Sequence, residues 1–294
     1  MKKLAIMSDL HIDINQFSQE DIDCLNQVLH DQNIDHLHLA GDISNHYERQ
    51  TLPFFQEIDS RVTISHNLGN HDLLDINEDR IEELDFQVIP LSGQVTLVAF
   101  HGWYDYSYFP ERSIAENITF KNTFWFDRRL KRPLSDIDLT QSSCQNLEET
   151  LASLSGDIII SMHFVPHSDF ILQHPKLLPF NAFLGSQKFH DIFQKYQVKT
   201  VYFGHNHHRM VPQQIDDVTY HSRPLGYQKE WKISNDFLVK HPDLIPEDFS
   251  NLNKRFAAIR RLPEFENFRK QELAKEFQSA MSIFEIEDEK DNDY

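Results

Sequence analysis

Residues Lys2–His11 read KKLAIMSDLH: two lysines, an apolar run from Leu4 to Met7, then Ser8, Asp9, Leu10 and His11. A short apolar run bounded by polar residues is the signature of a buried strand. This one stops on an aspartate and a histidine, and the arrangement recurs down the chain. Ile34–Ala40 runs into Gly41-Asp42, and Val62–His66 leads to Gly69-Asn70-His71-Asp72. Asp157–Met162 stops at His163, and Val198–Phe203 stops at Gly204-His205-Asn206-His207. Together with Lys3–Ser8 and Val95–Phe100, these make six expected strands.

Segments with helical spacing lie between them. Ser18 followed by Asp21 forms a capping box, after which Ile22, Leu25 and Leu29 share a face. Cys144, Leu147, Leu151 and Leu154 repeat the pattern, as do Phe189, Ile192, Phe193 and Tyr196. Strands alternating with helices predict an α/β layered domain. Beyond Pro246 the spacing of Phe249, Leu252, Phe256 and Ile259 predicts a helix. A second follows Pro263, carrying Phe265, Phe268, Leu273, Phe277, Met281 and Phe284. The expected organisation is a domain over 1–230, a helical extension over 231–284 laid against it, and a solvated acidic tail over 285–294 with a net charge of −5.

The 294 residues carry 46 acidic against 28 basic side chains, a net charge of −18. A field of that sign repels phosphate at long range, which argues against coating long nucleic acid or an anionic membrane. Two cysteines, Cys24 and Cys144, outside any C-x-x-C pair, exclude a disulfide framework and a cysteine zinc knuckle. Both are read as buried apolar residues. The first apolar run is too short for a signal-peptide core, and nothing approaches the ~20 apolar residues that span a bilayer. A soluble, cytoplasmic protein without a membrane partner is expected.

The chain also holds 17 histidines. Those at the strand ends matter most, because loops on one side of an α/β sheet converge there. Imidazole nitrogens with carboxylate oxygens suit transition metals, not calcium or magnesium alone. In Asp9-x-His11 and His205-x-His207 the alternation places each pair on one side of an extended segment. Asp42, with two oxygens, can bridge two ions ~3.5–4 Å apart. Each motif alone is commonplace as a turn or a helix cap; five in order, each after an apolar strand, indicate a two-metal site.

The order D-x-H, G-D, G-N-H, H, G-H-x-H from Asp9 to His207 resembles the calcineurin-like metallophosphoesterases. The resemblance implies two mixed β-sheets in a four-layer αββα sandwich with C-terminal helices, and a dinuclear centre where the strands end. It implies that Asp9, His11, Asp42 and His207 hold one divalent transition-metal ion. Asp42, Asn70, His163 and His205 would hold the second. Manganese is the first expectation, with iron, zinc or nickel as alternatives. His71 would protonate the leaving group or steady the phosphoryl charge, with Asp72 either orienting it or serving the turn. The implied activity is hydrolysis of a small phosphomonoester or phosphodiester by a metal-activated hydroxide. Departures narrow the family. Asn45 stands where purple acid phosphatases place a tyrosine ligand, and Ile43-Ser44-Asn45 replaces the segment leading to D-R-G in protein phosphatases. The pattern lies closer to bacterial cyclic-nucleotide phosphodiesterase-like and general phosphohydrolase branches.

The segment 103–150 matches none of these motifs and is rich in aromatics, followed by Arg128, Arg129, Lys131 and Arg132. It is read as a helical insertion packing its aromatics into the core, with a cap over the metals as the competing reading. His101 and His167 are read as structural, against a role supporting the ligands. A nuclease of the same family is disfavoured by the charge. A metal-binding scaffold whose C-terminal helices bind a protein partner is disfavoured because all eight matched positions carry the expected residue types.

Overall fold

The computed structural model describes residues 1–244 and 251–287. Among the described residues ten strands form two mixed sheets: β1 (Lys2–Met7), β2 (His36–Ala40), β3 (Thr63–Asn67), β4 (Gln87–Pro90), β5 (Val95–Phe100), β6 (Asp157–Met162), β7 (Thr200–Tyr202), β8 (Gln213–Ile215), β9 (Val218–His221) and β10 (Ser282–Ile286). The first sheet has the order β10-β1-β2-β3 and the second β4-β5-β6-β7-β9-β8. β1, β2 and β3 run parallel, as do β5, β6, β7 and β9, while β10, β4 and β8 pair antiparallel at the edges.

The helices are α1 (Gln19–Asp31), α2 (Leu52–Glu57), α3 (Glu78–Leu84), α4 (Ile114–Phe124), α5 (Asp136–Ala152), α6 (Lys188–Lys195), α7 (Lys232–Lys240), α8 (Leu252–Ile259) and α9 (Pro263–Ser279). Ser18 opens α1 with the expected capping box: its hydroxyl accepts from Asp21 N and Asp21 accepts from Ser18 N. Such a cap contributes ~1 kcal/mol. The helix then buries Leu25, Val28 and Leu29 against Met7, Leu37 and Leu39 of the first sheet, in one core with Phe237, Phe265 and Phe277. On the far side, α5 and α6 press Leu147, Leu151, Phe189 and Phe193 onto Val98, Phe100, Ile160 and Met162. Leu4, Ile6, Ala40, Leu97, Ile159 and Tyr202 fill the space between the sheets. The result is an αββα sandwich of four layers.

The inter-sheet layer also holds a polar chain. His36 pairs with the Ser65 hydroxyl (2.6 Å), which pairs with His38 Nδ1 (2.8 Å). His38 Nε2 meets Asn67 Oδ1 (3.0 Å), which accepts from the Ser161 hydroxyl (2.8 Å). These strand histidines are therefore hydrogen-bonded in place, as burial requires.

Two expectations at the C-terminus change. The acidic stretch begins inside the fold, since Glu285 and Ile286 belong to β10 and pair with Lys3 and Lys2 of β1. An edge strand can carry alternate acids because only one of its faces is covered. Residues 288–294 lie outside the described residues, as do Pro246 and Phe249, so the expected helix is seen only as α8. Cys144 is buried and Cys24 is half-buried; neither forms a disulfide.

Candidate metal centre

The carboxyl ends of β1, β2, β3, β6 and β7 point to one edge of the sandwich, and the loops that follow deliver the polar residues. Their backbone is strained. Asp9 (φ 56°), His11 (43°), Asp42 (54°), His205 (67°) and His207 (50°) all adopt the left-handed region. That conformation costs non-glycine residues roughly 1–3 kcal/mol each and persists only where surroundings over-determine it. Cross-loop bonds do so here: Asp9 N donates to Gly41 O (3.0 Å), His11 N to Asp42 O (3.0 Å), and Gly226 N to Asp9 O (3.0 Å). Asp9-x-His11 and His205-x-His207 are thus tight left-handed turns, not the extended segments their alternation predicted. Two glycines let these loops close: a Cβ on Gly69 would sit 2.2 Å from Asp42 Oδ1, and one on Gly204 2.5 Å from Asp9 Oδ2.

Two donor clusters result, and they share Asp42. Asp9, His11, Asp42 and His207 present ligand atoms within 4.8 Å of one another, as do Asp42, His163 and His205. In the first, His11 Nε2 lies 3.1 Å from His207 Nε2 and 3.7 Å from Asp42 Oδ2, while His207 Nε2 lies 3.2 Å from Asp9 Oδ1. In the second, His163 Nε2 lies 3.3 Å from Asp42 Oδ1 and 3.2 Å from His205 Nδ1. Asn70 Oδ1 joins it at 3.2 Å from His163 Nε2. All seven sequence-predicted ligands meet here, and His71 lies beside them with Nε2 3.9 Å from Asp42 Oδ2.

The chemistry of this donor set fits cations. His163 Nδ1 faces the Ala40 carbonyl (3.1 Å) and His205 Nε2 faces that of Phe183 (3.1 Å). A carbonyl only accepts, so those nitrogens carry the protons. The lone pairs of neutral His163 Nε2 and His205 Nδ1 then point at each other across 3.2 Å. Two oxygen acceptors, the carboxylate Asp42 Oδ1 and the amide Asn70 Oδ1, also face His163 Nε2. Only a positive charge reconciles four acceptors there.

A proton plays that part in the protein alone. Burial opposes charge on His163, but Asp42 outweighs it and lifts the pKa to about 9. Burial likewise opposes charge on His207, yet the hydrogen bonds to Asp9 and Glu230 lift it to about 10. Burial would raise Asp9, but the His207 hydrogen bond and charge draw it down to about 2. Metal binding must displace such protons, because ligands bind deprotonated.

Several supporting groups carried no sequence signal. Glu230 accepts from His207 Nδ1 (2.8 Å) and from Tyr227 N (2.9 Å), fixing the imidazole from a loop 23 residues downstream. Tyr227 stacks on His11 with ring centroids 4.6 Å apart. His71 Nδ1 meets Asn45 Oδ1 (3.0 Å), and Asn45 Nδ2 donates to Asp13 (2.7 Å). Asp72 does not orient His71. Its carboxylate accepts from the backbone N–H groups of Asp42 (2.7 Å), Ile43 (2.9 Å), Ser44 (3.0 Å) and Gly69 (2.8 Å), so it serves the turn. Burial, reinforced by the charge of Asp42, pushes its pKa up to about 7 despite those donors.

The insertion does two things. Trp103, Tyr104 and Tyr106 enter the core of the second sheet. Three consecutive residues, Trp125, Phe126 and Asp127, instead reach the centre. Phe126 stacks on His71 (centroids 3.7 Å apart) under the Arg129 guanidinium, and Asp127 accepts from Asn70 Nδ2 (2.8 Å). Arg128 donates to Trp125 O and Arg132 pairs with Glu78. His101 pairs with Asp85 (2.7 Å), and His167 lies against His190, so neither supports a ligand.

The sequence model of the calcineurin-like phosphoesterases matches residues 2–209. No curated protein sequence matches the chain. Among solved structures, phosphopantetheinyl hydrolase from Mycobacterium tuberculosis has a similar fold. Its TM-score is 0.60 at 20% identity, over 79% of this chain and 92% of that one. A dimetal phosphatase from Danio rerio aligns with a TM-score of 0.48 at 16% identity, over 75% of this chain and 86% of that one. The likeness to the phosphopantetheinyl hydrolase speaks to the fold alone, whereas the sequence match speaks to descent: the chain belongs to the calcineurin-like phosphoesterase family, hydrolases acting on phosphoester bonds.

Proposed function

We propose that the protein hydrolyses a small phosphomonoester or phosphodiester at a dinuclear centre of divalent transition metals, manganese first among them, with iron, zinc or nickel as alternatives. Asp9, His11, Asp42 and His207 hold one ion in this reading, and Asp42, Asn70, His163 and His205 hold the other. The observation that carries it is the pair of buried donor clusters sharing Asp42, with imidazole lone pairs facing each other where a positive charge, a proton or a metal ion, satisfies them. Two dications there supply Lewis acidity toward phosphoryl oxygens and make water acidic enough to ionise near neutral pH.

The remaining work falls to the chain. Asp42 spans both clusters and fixes their separation. His71 donates its Nδ1 proton to Asn45, which leaves Nε2 facing the centre to take up a proton and deliver it to the leaving oxygen. Burial holds its pKa below the usual histidine value. The net charge of −18 disfavours long nucleic acid, while cations at the centre reverse the sign locally for a small phosphoester. Among the described residues no helix is long and apolar enough to cross a membrane, and two unpaired cysteines fit a reducing, cytoplasmic setting.

The test is direct. Metal-stripped protein is reloaded with manganese, iron, zinc, nickel or magnesium singly and assayed on aryl phosphomonoesters, phosphodiesters and cyclic nucleotides. Turnover restored by a transition metal is the expected result. No turnover with any metal on any of these esters refutes the reading.

A further inference from the structure

Asn70 is the one neutral amide among the seven candidate ligands, and an amide has two ends. It can aim its oxygen at a cation or, turned by 180°, its NH2 group. Among the residues that touch it, Asp127 decides between them. An ionised carboxylate accepts and never donates, so it bonds only the amide nitrogen. Asn70 Nδ2 donates to Asp127 Oδ1 at 2.8 Å, and Asn70 Oδ1 therefore faces His163 Nε2 at 3.2 Å.

Asp127 is held for this task. Its second oxygen accepts from the Trp125 indole at 2.9 Å, and its side chain is buried. It sits in the short helical turn Phe126–Arg129, between α4 and α5, in the insertion that shares no motif with the rest of the centre. Its neighbours close the same side: Trp125 meets His205 edge-on, with centroids 6.0 Å apart, and Phe126 covers His71.

We propose that Asp127 is a positioning residue that locks the Asn70 amide oxygen toward the second cation, and so makes the 125–127 segment a determinant of how tightly that cation binds. The inference rests on the two-cation reading above. Partners behind a metal ligand typically change affinity by about 10- to 100-fold when removed.

The Asp127→Asn variant tests orientation at constant size. The amide introduced at position 127 offers one acceptor and one donor to the N–H groups of Asn70 and Trp125, while the Tyr104 hydroxyl beside it can donate or accept and so suits either orientation. The indole is wedged against Phe183 and Phe180 and does not turn. The amide of Asn70 does, presenting NH2 to the cation. Removing the indole N–H with Trp125→Phe frees the introduced amide to aim its oxygen at Asn70 again. The W125F/D127N double variant should therefore recover binding that D127N loses. A role in packing alone would give the opposite order, because the double variant removes more contacts.

The measurement is calorimetric titration of Mn2+ alone into metal-stripped full-length protein, with bound manganese counted by elemental analysis. Wild type should take two equivalents. D127N should weaken the second by about 10- to 100-fold and leave the first unchanged, and W125F/D127N should regain most of that loss. D127N binding both equivalents as wild type does, or a double variant no better than D127N, overturns the role of Asp127 while leaving the two-cation reading intact. Wild type failing to take two equivalents overturns both.

Discussion

Glu230 offers a perturbation whose consequences can be worked out atom by atom. One of its oxygens, Oε2, accepts from both His207 Nδ1 (2.8 Å) and Tyr227 N (2.9 Å). A glutamine in its place can turn its amide oxygen to the same two donors. Glu230→Gln therefore keeps the tautomer of His207, with Nε2 free for the cation, and removes only a charge. Glu230→Ala removes the lock as well, leaves the half-buried N–H of Tyr227 without this acceptor, and lets the imidazole turn. Loss of such a partner costs ~10- to 100-fold in metal affinity, or roughly 1.4–2.7 kcal/mol. The unpaired N–H adds about 1–3 kcal/mol to the destabilisation of the fold. The expected order of affinity at the Asp9–His11–Asp42–His207 cluster is wild type, then E230Q, then E230A. Manganese titration of metal-free protein reads the first quantity, and urea unfolding the second. E230A binding that ion as tightly as wild type would refute the role of Glu230 in fixing the ligand.

Other consequences follow from the same geometry. His71→Ala should keep both ions and lose about 10²–10⁴-fold in turnover, more for alkyl than for nitrophenyl leaving groups, because only the former need a proton. Equal losses on both esters would reject the acid role. Gly69→Ala would place a methyl 2.2 Å from Asp42 Oδ1 and should abolish tight metal binding; wild-type metal content in that variant would contradict the close approach. His38 is buried and neutral, its pKa drawn by burial from 6.5 down to about 3. The unfolded chain therefore binds one more proton between those values, so stability is full above pH 6.5 and falls as the pH drops toward 3, by roughly 4–5 kcal/mol in all. His66 and His221 shift the same way, each to about 4. Denaturant midpoints followed from about pH 7 to pH 4 should fall less steeply in His38→Gln; an identical slope would show that His38 does not contribute.

The centre was legible because its chemistry is local in sequence even though its parts are distant. A buried strand must end, and when five such strands end on Asp, Asn or His the layered fold has little choice but to bring them together. What escaped was conformational or unpatterned. Asp9-x-His11 has the alternation of an extended segment, yet Asp9 and His11 sit at φ 56° and 43°, because loop-to-loop hydrogen bonds outweigh the intrinsic preference. Strands β4, β8, β9 and β10 are short, edge or half-exposed, so they lack the continuous apolar runs that marked β1–β3 and β5–β7. β10 hides among glutamates for the same reason. Glu230 and Asn45 from loops, and Asp127 from a short helical turn, each act on a residue far away in the chain. No spacing rule reaches a contact made only by folding.

Asp42 is the residue on which the dinuclear centre turns, since its two oxygens face different clusters: Oδ2 lies 3.7 Å from His11 Nε2, and Oδ1 3.3 Å from His163 Nε2. The most direct measurement is therefore the metal content of wild type and Asp42→Ala after equilibration with manganese, each checked for folding by circular dichroism. A shared carboxylate predicts two equivalents in wild type and loss of tight binding at both positions in the single variant. An Asp42→Ala protein that keeps one tightly bound equivalent would contradict the shared centre.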